Sequence, residues 1–128
     1  MKKIIQHYDI NASIEKVWDA LVNPKIIDKW GGGPSKMTDK TDAKFEFWGG
    51  DIYGRNIKVL KNKELVQEWF SGDWKEPSLV TFKLEENGDQ TTIQLIHENV
   101  PDKDAHDIDD GWKRYYLGPL KKLLENKT

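Results

Sequence analysis

The sequence predicts an α+β fold in which a curved antiparallel sheet of about six strands wraps a long C-terminal helix, with two short helices between strands one and two. Three observations predict it. Two short helical stripes follow a first β-rich run. Alternating β runs broken by turn residues fill the middle of the chain, and after Pro101 apolar residues recur at helical spacing.

Residues 3–10 carry the β-favouring Ile4, Ile5 and Tyr8 and stop at Asn11, as a first strand entering a turn does. Ser13 is placed to cap a helix whose Ile14, Val17, Trp18 and Leu21 share one face at i, i+3, i+4, i+7, with Glu15 at its positive end. Asn23-Pro24 ends that helix and starts a second short one carrying Ile26, Ile27 and Trp30. Gly31-Gly32-Gly33-Pro34 stops it, and residues 35–42 read as loop or weak edge strand.

A meander follows. Phe45 to Trp48 open it, Gly49-Gly50-Asp51 turn it, and Ile52, Tyr53, Ile57 and Val59 continue it. After a turn at Lys61-Asn62-Lys63, residues 65–70 form the next strand, 71–77 a connection holding Trp74, and 79–86 a further strand. Asn87-Gly88 predicts a two-residue hairpin, because this pair tolerates positive φ. Pairing Glu86 with Asp89 then sets Leu84 against Thr91, Phe82 against Ile93, Val80 against Leu95 and Ser78 against His97, and turns His97 inward. In the final helix Ile108, Trp112, Tyr116, Leu120 and Leu124 fall at i+4 steps, supported by Tyr115, with Gly118-Pro119 predicting a kink.

At 128 residues the chain fits one domain spanning 1–128, long enough to bury roughly two-thirds of the surface it exposes unfolded. It contains no cysteine, which excludes disulfides and thiolate chemistry and fits a reducing compartment; cytoplasm is the expectation. Twenty basic and 22 acidic residues are interspersed, so no footprint for nucleic acid or anionic lipid appears, and no apolar run supports membrane insertion. Six tryptophans, four tyrosines and four phenylalanines are the compositional anomaly, aromatic area that fills a core or lines a pocket.

A helix laid across a curved sheet leaves a concavity, and cavities of this kind take ligands. The candidate ligand-binding residues are Trp30, Trp48, Tyr53, Trp69, Trp74, Phe82, His97, Trp112 and Tyr116, with Trp18 assigned to plain core. Alternation does not assign a face to Trp69, which shares its side with polar Gln67. Two roles are open to inward-facing His97: hydrogen bonding or acid–base work on a ligand, or a core histidine satisfied within the protein. Asp102, Asp104, His106, Asp107, Asp109 and Asp110 match no calcium-loop spacing and read as helix-start electrostatics, not a metal site. The triglycine lacks the context of a phosphate loop, and no cofactor fingerprint or catalytic triad order is present.

Five stretches belong together: INASIEKVWDALVNP with the following KW, FEFWGGDIYG, ELVQEW, SLVTFKLEENGDQTTIQLIHE and DDGWKRYY. In them nearly the whole chain resembles the activator of heat-shock protein 90 ATPase homologue-like domains, within the START and birch-pollen-allergen group of helix-grip folds. It departs at Asp42-Ala43-Lys44, where that family often has two glycines. Nor does the resemblance extend to the separate N-terminal domain with which the full activator engages and stimulates the chaperone. It implies the helix-grip fold and a heat-shock protein 90 chaperone as a possible partner.

The first functional expectation is non-catalytic binding of a small apolar, aromatic or lipid-like ligand between sheet and C-terminal helix. The alternative is a protein-interaction, co-chaperone-like module, which an exposed apolar patch rimmed by charge would favour over an enclosed pocket. A small pocket enzyme using His97 is the third, and the chain is read as non-enzymatic without a cofactor.

Overall fold

The computed structural model describes residues 1–72 and 74–126; Asp73, within the connection predicted over 71–77, lies outside the described residues. The elements run β1 (Lys2–Ile10), α1 (Ile14–Val22), α2 (Pro24–Trp30), β2 (Lys44–Phe47), β3 (Ile52–Leu60), β4 (Glu64–Ser71), β5 (Ser78–Asn87), β6 (Gln90–Val100), α3 (Ala105–Gly111) and α4 (Leu117–Glu125). A π turn over Trp112–Tyr116 joins α3 to α4 into one C-terminal helix. The six strands form one antiparallel sheet in the order β1-β6-β5-β4-β3-β2, with helices packed on its inner face.

The helix boundaries follow from capping chemistry. Ser13 Oγ accepts the Lys16 amide at the start of α1. Asn23 closes α1 and caps α2 through Oδ1, with Pro24 in the first turn, and α2 stops at Gly31, whose φ of 105° is left-handed. The loop after it carries an isolated bridge, Lys36 to Glu46, that covers the β2 edge.

The β5–β6 hairpin corrects the predicted register by two residues. Asn87 pairs with Gln90, so Leu84 lies opposite Ile93, Phe82 opposite Leu95 and Val80 opposite His97. Only Gly88 takes a positive φ, 64°, at the first central position of the turn. Asn87 remains strand and gives its side-chain amide to Thr92 Oγ1 instead. A two-residue shift preserves the alternation of faces, so His97 still points inward. Trp48, predicted as strand, lies in the β2–β3 turn at φ 52°.

The predicted kink takes the form of the π turn. Pro119 has no amide to give the Tyr115 carbonyl, and the widened turn just upstream absorbs the disruption. The Leu117 amide donates to the Trp112 carbonyl, five residues back. Gly118 is required here, because a Cβ would stand 1.9 Å from the Lys113 carbonyl oxygen. A strict i+4 stripe drifts around a 3.6-residue helix. The π turn offsets the drift and keeps Trp112, Tyr116, Leu117 and Leu120 all buried.

The concavity between helix and sheet is filled largely by rings. Tyr116 packs within 4.4 Å of Trp30, 5.4 Å of Phe47 and 5.8 Å of Phe82. Such tilted, edge and stacked contacts stabilise an aromatic core beyond its buried area.

Candidate functional site

Where the helix crosses β4 and β6, Trp69 and Trp112 stack with centroids 4.8 Å apart. The Trp112 indole donates through Nε1 to His97 Nδ1 at 3.0 Å. An indole nitrogen only donates, so His97 Nδ1 holds a lone pair and its proton sits on Nε2, 2.7 Å from Ser78 Oγ. The Ser78 hydroxyl in turn donates to the Trp69 carbonyl at 3.3 Å, closing the chain. Both ring nitrogens are therefore engaged within the protein. Full burial lowers the His97 pKa to about 3 and keeps the ring neutral. Of its two open roles, the internally satisfied one matches this geometry.

A second polar chain fixes Trp69 from the other side. Its Nε1 donates to Gln67 Oε1 at 2.9 Å, Gln67 Nε2 donates to Asn56 Oδ1 at 2.9 Å, and Asn56 Nδ2 reaches the carbonyls of Thr38 and Lys40. Gln67 and Asn56 are wholly buried and fully paired, which lets polar strand residues face inward. The Tyr116 hydroxyl is enclosed without a partner among the described residues, and burial pushes its pKa far up, leaving a neutral phenol.

Above this floor lies an open cleft of about 400 Å³. Half-buried Trp48 and Trp74 wall it with Ile52 and Ile108, and exposed Tyr115 and Asp107 form its lip. Each wall is anchored: Trp48 Nε1 donates to the Gly31 carbonyl at 2.7 Å, and Trp74 Nε1 to Asp104 Oδ2 at 2.9 Å. The triglycine thus serves as the backbone mount of Trp48.

The structure brings Trp48, Trp69, Trp74, His97, Trp112 and Tyr116 together around this cleft. Three candidates lie elsewhere. Trp30 and Phe82 are core, Trp30 donating to the Ala20 carbonyl and Phe82 fully buried against Trp112. Tyr53 is a correction of face: it stacks on Phe70 at 5.4 Å on the outer side of the sheet, because Ile52, one residue before it, takes the inward position. Sequence reasoning missed Ile52, Asp107, Ile108, Gly111 and Tyr115 as lining residues. The signal was present, since Asp107, Gly111 and Tyr115 follow one another at i+4 beside the buried stripe.

The acidic run over 102–110 is mostly spoken for. Asp102 meets the N-terminal amine, Asp104 meets Trp74, Asp109 meets Gln6 and Lys113, and Asp110 meets Arg114. No group of three or more His, Asp or Glu among the described residues is arranged to hold a metal.

A family model described as Activator of Hsp90 ATPase homolog 1-like protein matches residues 11–125. The mouse Activator of 90 kDa heat shock protein ATPase homolog 2 is 21% identical over 117 residues, covering 90% of this chain and 35% of that protein. The chain spans about a third of the length of the curated relatives it matches first. Among solved structures, an HSP90 activator from Plasmodium falciparum superposes with a TM-score of 0.88 at 21% identity, covering 97% of this chain and 96% of that one. The Aha1 dimer from Colwellia psychrerythraea gives 0.82 at 26% identity, covering 98% and 97%.

Proposed function

The chain belongs to the Activator of Hsp90 ATPase homolog 1-like family, and on that premise we propose that it is a protein-interaction module whose partner is a chaperone of the Hsp90 class. The observation that carries this reading is Gly111. It lines the cleft in ordinary helical geometry, φ −61° and ψ −37°, and a Cβ there would meet nothing closer than 4.0 Å. Glycine costs about 1 kcal/mol relative to alanine inside a helix. With no internal contact requiring it, the missing side chain serves to keep the cleft open. An open aromatic cleft beside exposed Tyr115 and a charged lip is the surface expected of a recognition site.

Binding, not catalysis, is the proposed mode of action. His97 is neutral, buried and engaged at both nitrogens, so it has no free site for proton transfer. Trp48, Ile52, Trp74, Ile108 and Tyr115 are the proposed contact surface, with Trp69, Trp112 and Tyr116 as its fixed base. No helix among the described residues is long and apolar enough to cross a membrane; the proposed workplace is the cytoplasm, beside the chaperone. A second reading, a small apolar or aromatic ligand in the same cleft, draws support from its volume, which lies within the range of small-molecule sites.

Calorimetric titration of the purified protein into the Hsp90-class chaperone of its own source tests the proposal. Saturable binding that weakens at least about tenfold in Tyr115→Ser is expected, as for an exposed interface aromatic. Absence of binding, or equal binding by the variant, would count against it.

A further inference from the structure

We propose that the cleft recognises a cation, the ammonium or guanidinium of a lysine or arginine side chain on the partner, held between indole π faces and the Asp107 carboxylate. This deepens the reading above and rests on it for the partner. Three observations converge on a positive charge. All four indole N–H groups at the cleft are consumed inside the protein: Trp48 by the Gly31 carbonyl, Trp69 by Gln67, Trp74 by Asp104 and Trp112 by His97. The indoles therefore offer a ligand only their rings, whose faces carry the negative end of the quadrupole.

Asp107 supplies the complement. It is the sole carboxylate lining the cleft among the described residues, and the sole aspartate of the 102–110 run without an ion-pair or hydrogen-bond partner there. No lysine or arginine among the described residues lines the cleft, so its negative character is not neutralised from within. Neighbouring Lys113 and Arg114 are turned to Asp109 and Asp110.

The alternatives fit this surface less well. A neutral polar ligand finds no free indole donor, and an anion meets π faces and a carboxylate. A wholly apolar group would strip water from Asp107 without compensation. A cation on an aliphatic stem satisfies all of it: the stem packs on Ile52 and Ile108, the charge lies over the rings, and Asp107 pairs at the lip.

The experiment uses the protein alone, so this inference and chaperone binding fail separately. Nitrogen-15 spectra of the indole N–H groups are recorded while titrating Nα-acetyl-arginine amide, choline, or 3,3-dimethylbutan-1-ol, the uncharged isostere of choline. Arginine amide and choline should shift the Trp74 and Trp112 signals saturably, with the isostere about two- to thirtyfold weaker. Asp107→Asn should weaken both cations by a similar factor and leave the isostere no weaker. Tyr115→Leu keeps apolar area but removes a ring, and should also favour the isostere relative to the cations. Equal affinity for choline and its isostere, no saturable response to either cation, or indifference to Asp107→Asn in a variant of unchanged melting temperature would overturn the proposal. Choline binding without arginine amide binding would overturn the side-chain assignment.

Discussion

Trp112 donates its indole proton to His97 Nδ1 across 3.0 Å, tying the C-terminal helix to β6 at the floor of the cleft. One bond thereby fixes the tautomer of the histidine, the position of the indole and, through Ser78, the backbone of β4. Replacing Trp112 by Phe keeps a ring but leaves His97 Nδ1 buried and unpaired. A loss of about 2 to 3 kcal/mol is expected, measurable by urea unfolding.

The burial of His97 makes stability depend on pH in a defined window. His97 has a folded pKa of about 3 against an ordinary value of 6.5, so between them the unfolded state binds a proton that the folded state refuses. Its contribution is complete above 6.5 and declines as pH falls toward 3, by about 1.4 kcal/mol per pH unit. The carboxylates with lowered pKa, Asp102 and Glu125, have ordinary values of 3.8 and 4.5, so unfolding measured between roughly pH 5 and 6.5 isolates His97. A folded-state His97 proton titrating near 6 would contradict the assignment.

Gly118 and Pro119 make separable contributions to the π turn. Gly118→Ala drives a Cβ into the Lys113 carbonyl and should cost about 3 kcal/mol. Pro119→Ala restores an amide without a clash and should change stability by less than about 1 kcal/mol. Thermal melts of the two variants check the contrast.

Gly111→Ala should raise stability by about 1 kcal/mol, since the site is helical and open. A destabilised variant would mean the glycine has a packing role that its surroundings do not show.

What was legible in the sequence followed local rules. Ser13, Asn23-Pro24 and Gly31 mark helix ends because caps act on neighbouring backbone, and the inward face of His97 survived a hairpin register displaced by two residues, an even step. What was illegible depended on distant partners. Alternation assigned no face to Trp69 and Gln67 because a polar residue shares the side of an aromatic one; Gln67 and Asn56 face inward through bonds to Trp69, to each other and to carbonyls 16 and 18 residues away. Tyr53 and Ile52 differ by a single step of alternation that an irregular β3, shifted between Asn56 and Lys58, obscures. Asp107 looked like one acidic residue among several, and only the folded positions of its neighbours' partners set it apart.

The most direct test of the account follows the six indole N–H signals while the Hsp90-class chaperone is added, in the native protein and in Gly111→Leu. Perturbation of Trp48, Trp74 and Trp112, silence at Trp18, and loss of binding in a Gly111→Leu protein that melts no lower than the native one are the predicted results. Undiminished binding by Gly111→Leu, or a response confined to the indoles outside the cleft, Trp18 and Trp30, would contradict it.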